Sequence, residues 1–261
     1  MLDALRFEWT RLRTLRSTYW MVSSGLVASA VIPLVLGLGA SDEPLHADAV
    51  NLSVNGGASF VIPFLAVFMA VVGIFATGHE YRHGTIQPTL TALPQRSRLI
   101  LAKILTVTAL TAVATLVSIA INATLVLVFW GEVPGLFDDP VRSALLGYLA
   151  YNLIYALTGL GLGLLFRGVP SALVVIFLMP LIIETLIVGL TMVPALHWLA
   201  RAVKFLPFTA GEELMLTSPA NFGPAAPDID FFDRWASGGV FAAFAALIIG
   251  AAWILFQKRD A

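Results

Sequence analysis

Long apolar runs dominate this sequence and leave it few kinds of fold. Six runs follow one another, and each is close to or longer than the roughly 20 residues that a membrane-crossing helix needs. They cover residues 20–40, 57–78, 99–130, 143–166, 169–193 and 236–256. With 59% hydrophobic and 12% charged residues, the chain is too apolar to hide these runs in one soluble core. The sequence therefore predicts an all-α polytopic membrane protein with six transmembrane helices.

The charges between the runs alternate in sign along the chain. Basic segments occupy residues 1–19, the 79–98 loop, the 166–170 turn and the C-terminal tail, whereas the segments between them are acidic. Because arginine and lysine favour cytoplasmic loops, this pattern predicts both termini in the cytoplasm, an N-in/C-in topology. The formal net charge of −1 excludes a generally basic nucleic-acid binder, so we expect no nucleic-acid partner.

Residues 1–19 carry apolar side chains at helical spacing, with the arginines mostly on other faces. The apolar positions are Leu2, Leu5, Trp9 and Leu12. This pattern is typical of an amphipathic helix that lies in the membrane interface and contacts lipids. The alternative is a basic flank that only sets the topology.

The long 194–235 segment lies between the last two runs and is predicted to be external. Its first half is apolar, which favours a short interfacial or re-entrant segment shielded by protein or water. Its second half contains Pro219, Gly223, Pro224 and Pro227, which are typical of an irregular loop.

A few polar residues interrupt the apolar runs. Glu184 lies within the fifth run, where a carboxylate costs about 2.5–3.5 kcal/mol to insert. It either serves a cavity or proton path, or is a structural group held at a helix contact. Asn122 and Asn152 are further intramembrane polar residues that favour hydrogen bonds between helices. Gly159 and Gly163, at GxxxG spacing, predict close helix packing.

The segment His79-Glu80-Tyr81-Arg82-His83 matches the H-E-x-x-H pattern of zinc metalloproteases, in which two histidines bind zinc and the glutamate is the general base. A membrane zinc protease is therefore one alternative. Against it, Arg82 would place a cation beside the metal, and Gly84 interrupts the helix directly after the motif. The sequence contains no cysteine, and no third ligand is evident.

Two motifs of soluble enzymes are missing. None of the three lysines follows a glycine, so the sequence has no P-loop of the form G-x-x-x-x-G-K-[ST]. It also has no G-x-S-x-G elbow of a serine hydrolase. We therefore expect no catalytic residue and no resident cofactor or metal in this chain.

The 79–98 loop resembles the cytoplasmic loop of ABC-2 type transporter permeases. In that family a glutamate near the end of the second span precedes a Gly-Thr pair, a short helix, a proline, a basic residue and a lysine that opens the third span. The matching residues here are Glu80, Gly84, Thr85, Leu90, Leu93, Pro94, Arg96 and Lys103. The six-span layout and the long segment before the last span are also similar, whereas Pro88 departs from the pattern.

The resemblance implies that residues 1–261 form one permease domain in a bacterial plasma membrane. A separate ATP-binding subunit would hold ATP and Mg and would dock on the 79–98 coupling loop, and a second permease subunit, identical or different, would complete the transporter. The implied coupling residues are Glu80, Arg82, Gly84, Thr85, Leu90, Leu93, Pro94 and Arg96, and Glu184, Asn122 and Asn152 would lie near the translocation path. A membrane scaffold or sensor without transport is the remaining alternative.

Overall fold

A computed structural model describes residues 1–40, 44–58, 63–82, 84–85, 87–88, 95–220, 222, 227 and 229–258, with Ala40 and Arg82 described by their backbone alone. These residues are almost entirely helical and contain no β-strand. Six helices are long and apolar enough to cross a membrane, which confirms the six predicted spans by length and composition.

The helices follow in a simple order. An N-terminal helix α1 (Leu2–Thr14) precedes the first long helix, and a short α3 (Ala47–Val54) precedes the second. The long helices are α2 (Arg16–Ala40), α4 (Phe64–Arg82), α5 (Arg96–Trp130), α6 (Val141–Phe166), α7 (Val169–Leu190) and α10 (Arg234–Lys258). Between the last two lie a 3₁₀ turn (Pro194–Leu199), α8 (Ala200–Val203) and α9 (Pro207–Glu212).

Helices α4 and α6 form the centre of the bundle. Buried residues make up 67% of the α4 span and 61% of the α6 span, against 17–28% for the other four. Glycine explains this close pairing, since a Cβ atom at Gly159 would collide with the carbonyl oxygen of Ala70 and one at Gly163 with Thr77. The GxxxG spacing of α6 is therefore used for packing within the chain.

The second span begins later than the apolar run that starts at residue 57. Gly56 and Gly57 have φ values of 67° and 75°, a left-handed conformation in which glycine carries no steric cost. They form a turn against Ser29 and Ile32 of α2, so the chain turns here instead of continuing as a helix. The helix α4 starts only at Phe64.

The fifth span contains a π-helical segment, Met179–Glu184. Pro180 lacks an N–H, and in a regular α-helix its ring would clash with the carbonyl group of the residue four positions earlier, Ile176. The Tyr155 hydroxyl of α6 donates to that carbonyl oxygen at 3.3 Å, and Thr185 donates to the Pro180 oxygen at 3.0 Å. The wider turn is thus stabilised by side chains that replace lost backbone bonds.

The bundle has a basic end and an acidic end. Arg11 of α1 contacts Glu80 at the end of α4, Arg96 at the start of α5 donates to Phe256 near the end of α10, and Arg167 lies over the Tyr81 ring. At the other end, Asn51 of α3 donates to the Met215 carbonyl at 2.8 Å. The basic segments with described residues therefore lie at one end of the bundle, and the membrane topology stays a prediction.

The 194–235 segment folds back onto the bundle in its first half. Phe208, Ala210, Leu214 and Met215 are 0–1% exposed, and α9 packs against α10. A Cβ atom at Gly147 of α6 would collide with the Leu214 carbonyl, so this segment reaches the central helix pair. Protein thus shields its backbone, as a re-entrant segment requires.

Candidate functional sites at the two ends of the bundle

The predicted coupling residues begin at the C-terminus of α4, which ends in a Schellman motif. The Thr85 N–H donates to the Glu80 carbonyl at 2.9 Å, and the Gly84 N–H donates to the Tyr81 carbonyl at 3.3 Å. Gly84 has a φ of 65°, the left-handed value that this cap requires, and an added Cβ atom there would meet nothing within 4 Å. The Gly-Thr pair is therefore explained by local structure, because it ends α4 about one turn after Glu80.

The side chain of Glu80 does not face the solvent. Its carboxylate is 4% exposed and accepts hydrogen bonds from Arg11 at 2.6 Å and from Lys103 Nζ at 2.8 Å. The resemblance groups Glu80 with the docking residues, but its carboxylate is enclosed by α1 and α5. Any effect of Glu80 on a partner must therefore pass through these helices.

Four charged residues form this basic-end cluster: Glu8 and Arg11 of α1, Glu80 of α4 and Lys103 of α5. Glu8 accepts from Lys103 at 2.7 Å and from Arg11 at 3.3 Å. Glu8 is fully buried and Lys103 is 1% exposed. Two carboxylates thus balance two cations in a site that is almost fully buried, with Arg11 alone of the four partly exposed.

Backbone carbonyls complete the cluster. Lys103 Nζ donates to the Ala76 oxygen at 2.9 Å, which gives each of its three protons a partner. Arg11 donates to the same oxygen at 2.9 Å. Burial raises the pKa of the Glu8 carboxyl, and the charges of Lys103 and Arg11 oppose that rise. The full set of bonds is what makes so many buried charges tolerable.

The helix α1 packs on the bundle through a face that includes only part of the predicted apolar one, since Leu12 is common to both. Ala4, Glu8 and Leu12 are buried, whereas Leu2 and Trp9 are 70% and 49% exposed. The cluster therefore fixes α1 by its charged residues, and part of its apolar face stays uncovered. These exposed apolar side chains are available to contact lipids, and the position of α1 in the membrane interface stays a prediction.

The remaining coupling residues lie near the cluster or outside the described residues. Thr85 is exposed next to Gly84, and α4 includes Arg82. Arg96 begins α5 and donates to the Phe256 oxygen at 3.0 Å, which joins the start of α5 to the end of α10. Leu90, Leu93 and Pro94 lie outside the described residues, as does His83 of the metal motif.

The other metal-motif residues have different contacts. The His79 ring stacks on Phe75 with the centroids 4.2 Å apart, and Glu80 is held by Arg11 and Lys103. Within the described residues, no group of three or more histidine, aspartate or glutamate side chains is placed to hold a metal ion.

At the acidic end, Glu184 holds the start of α9. Its carboxylate accepts from the backbone N–H groups of Phe208 and Thr209 at 3.1 and 2.7 Å, and from the Thr209 hydroxyl at 2.8 Å. Glu184 is 1% exposed, and these three bonds compensate its burial. Of the two interpretations that the sequence left open, this geometry favours the structural one, with α9 as the partner.

The two asparagines make separate contacts. Asn122 of α5 donates to the Val54 carbonyl at the end of α3, at 3.1 Å, so it does join two helices. Asn152 donates to Tyr148 of its own helix at 3.0 Å. A cavity lies between α4, α6, α7 and the end of α9, and neither asparagine is among the described residues that line it. The amide oxygen of each is buried without a hydrogen-bond partner in the described residues, and a place near the translocation path stays a prediction.

Several residues of both sites escaped prediction. Glu8 and Arg11 were not singled out as site residues, although Glu8 shares one helix face with Ala4 and Leu12 and so interrupts an otherwise small and apolar stripe. That interruption was the available signal. Glu212, the last residue of α9, lines a cavity between α4, α6 and α7. The sequence offered no comparable pattern for it, because its position depends on how α9 folds back onto the bundle.

One family model matches residues 40–261 and is described as "Protein of unknown function (DUF2705)". The match covers most of the 261 residues and begins at the last residue of α2, so it excludes Glu8 and Arg11 of the cluster. The search of curated proteins found no match.

Proposed function

We propose that the chain, which belongs to the DUF2705 family of unknown function, is the membrane permease subunit of an ATP-driven exporter of the ABC-2 type. In this proposal two permease subunits form the translocation path, and a separate subunit binds and hydrolyses ATP. The alternating charges support a cytoplasmic position for the basic end. The sequence contributes no P-loop, which fits a subunit moved by another protein.

The observation that carries the proposal is the buried cluster beside the coupling segment. It links α1, α4 and α5 through Glu8, Glu80 and Lys103, and α4 and α5 are the two helices that flank residues 83–95. A force applied to that segment would act on three helices joined by charge-assisted bonds. Because such a unit moves as a rigid body, it suits the transmission of a partner's motion to the spans.

Two glycines offer a matched test of coupling. Gly84 and Gly131 have φ values of 65° and 77°, and an added Cβ atom meets nothing within 4 Å at either position. Gly84→Ala and Gly131→Ala thus impose a similar backbone strain of about 1–2 kcal/mol, but at opposite ends of the bundle. The proposal expects only Gly84→Ala to reduce ATP turnover stimulated by the chain.

The measurement combines co-purification with an ATPase assay. The tagged chain is isolated in mild detergent from its own organism, the co-purifying ATP-binding protein is identified, and its turnover is compared for the two variants in vesicles. If no ATP-binding protein co-purifies, or if both glycine variants reduce turnover equally, the proposed coupling role is wrong.

Topology is tested independently, because the sequence contains no cysteine. Gln87→Cys and Ser218→Cys place single thiols at exposed positions near opposite ends. In intact cells a membrane-impermeant thiol reagent should label position 218 and leave position 87 unlabelled. The reverse pattern would contradict the proposed N-in/C-in orientation.

A further inference from the structure

A cavity of about 250 Å³ lies between α4, α6, α7 and the end of α9. Its walls are largely aromatic and carry one carboxylate, from Glu212. The aromatic lining residues are Phe64, Phe68, Tyr151, Tyr155 and Phe177. A concave apolar site with a few polar groups is the usual form of a small-molecule site.

Two polar groups of this cavity have no partner among the described residues. Tyr151 is 1% exposed, yet its hydroxyl makes none of the hydrogen bonds found in the described part of the chain. The Glu212 carboxylate likewise has neither a hydrogen bond nor an ion pair there. Both residues line the cavity. Since neither oxygen group is used within the described part of the chain, both are available to a ligand that enters it.

The charge around Glu212 specifies the sign of that ligand. Neither Glu184 nor Glu212 has a cationic neighbour within salt-bridge distance among the described residues, and no described lining residue is basic. Glu184 uses its oxygens on Phe208 and Thr209, so Glu212 is the carboxylate left to bind. A cation would neutralise it, whereas an anion would be repelled.

We propose that this cavity binds a lipophilic organic ammonium ion, with its charge at Glu212 and its methyl or methylene groups against Tyr151, Tyr155 and Phe177. Aromatic ring faces attract quaternary ammonium groups, and the attraction strengthens when water is excluded. A metal ion would need several oxygen ligands, which this site does not gather. The half-exposed Leu181 and Phe177 at the cavity edge offer apolar surface for a ligand tail.

The ionisation of Glu212 supports this assignment and gives it a pH dependence. Burial raises the pKa of the Glu212 carboxyl to about 7, and the charges of Glu184 and Glu213 act in the same direction. The ionisable groups around it are Glu184 on α7, Tyr151 and Tyr155 on α6, and the adjacent Glu213. Because a cation pairs with the ionised carboxylate, its affinity should rise between pH 6 and pH 8.

Binding itself requires only the isolated chain. That the bound cation is also exported rests on the proposed function. The two proposals therefore fail separately: loss of ATP coupling would leave the cation site intact, and loss of cation binding would leave the coupling role intact.

The test uses calorimetric titration of the full chain in nanodiscs with benzyltrimethylammonium, with empty nanodiscs as the blank. Neutral N-benzylacetamide, of similar size, is the comparison ligand. We expect saturable binding of the cation at pH 8, with an affinity about tenfold lower at pH 6, as a carboxyl with a pKa near 7 requires. The neutral ligand should bind at least tenfold more weakly.

Glu212→Gln keeps the shape of the side chain and removes its charge, so we expect at least a tenfold loss of affinity and no pH dependence. Glu132→Gln is the matched control, because Glu132 is exposed and does not line the cavity, and it should leave the affinity and its pH dependence unchanged. Tyr151→Phe keeps the ring and should cost less than Glu212→Gln.

Three results would overturn the proposal: no saturable binding of the cation at pH 8, equal affinity for the neutral ligand, or unchanged affinity in Glu212→Gln. If that variant does not fold, the comparison of the two ligands at pH 6 and pH 8 on the unaltered chain decides the question by itself.

Discussion

At the basic end, Glu8 and Glu80 lie within hydrogen-bonding distance of Lys103 and Arg11, whereas at the acidic end Glu184 and Glu212 have no cation beside them in the described residues. Both ends therefore place carboxylates inside an apolar bundle, but only one neutralises them with side chains of the chain itself. Glu8 and Glu184 are 0% and 1% exposed, so the cost of burying a charge is similar at these two positions, and the difference lies in what offsets it.

This difference distinguishes a charge cluster that holds three helices together, at the basic end, from a carboxylate that is available to a ligand, at the acidic end. In a balanced cluster every charge depends on its neighbours, and removal of one leaves another buried and unpaired. At the acidic end, Glu184 is satisfied by the start of α9, and Glu212 retains an uncompensated charge. The comparison predicts that mutations destabilise the basic end and that one mutation stabilises the acidic end.

Lys103→Met should have the largest effect on folding. It leaves Glu8 and Glu80, both buried, with only the partly exposed Arg11 between them. We expect a loss of about 3–5 kcal/mol in the free energy of unfolding. Denaturant titration of the detergent-purified protein measures this loss.

Lys258→Met is the control, because Lys258 is exposed and the same change there should stay within about 0.5 kcal/mol. Adding Glu8→Gln to Lys103→Met leaves the Arg11–Glu80 pair balanced and should recover about 1–3 kcal/mol. Equal stability of the two lysine variants would show that the ion pairs of the cluster do not stabilise the packing of α1, α4 and α5.

Glu184→Gln should have the next largest effect. The amide nitrogen cannot accept a hydrogen bond, so one of the bonds from Phe208 or Thr209 is lost and the others lose their charge assistance. We expect a loss of about 1.5–3 kcal/mol, with Glu132→Gln at an exposed position as the control. A variant with normal stability but altered transport would instead assign Glu184 a direct functional role.

Glu212→Gln should stabilise the protein, in contrast to Lys103→Met and Glu184→Gln. The pKa of Glu212 is about 7 in the folded chain against an ordinary value of 4.5, so ionisation opposes folding increasingly as the pH rises between these values. Glutamine carries no such cost. The gap between these two pKa values corresponds to about 3 kcal/mol, so we expect a gain of up to about 3 kcal/mol at pH 8 and almost none at pH 4.5, measured by the same titration. A loss of stability at pH 8 would mean that Glu212 has a partner within the chain.

The six spans could be predicted because apolar length is a property of the sequence alone. The same holds for the two ends, since charge alternation reports which segments share a side. The late start of α4 could not be predicted from hydropathy, because Gly56 and Gly57 turn the chain through contacts with α2. Turn geometry that depends on tertiary contacts leaves no mark in an apolar run.

The sites were harder to predict than the fold. Glu80 was identified through its motif, but its partners Glu8 and Lys103 are 72 and 23 residues away in sequence, and only the packing of α1 and α5 unites them. Glu184 was singled out by its position in a span, whereas its partner Thr209 lies in a segment that was predicted to be interfacial or re-entrant, without any pattern that specified its contacts. Pairings between distant segments follow from packing, which one sequence does not display.

The most direct test of the central claim compares photo-crosslinking from the two ends of the same chain. A benzoylphenylalanine at the exposed position Gln87, next to the cluster, should form an adduct with an ATP-binding protein in membranes. The same group at Phe137, which is 80% exposed at the opposite end, should form none. An adduct from position 137, or the absence of one from position 87, would contradict the claim that a partner moves this bundle from its basic end.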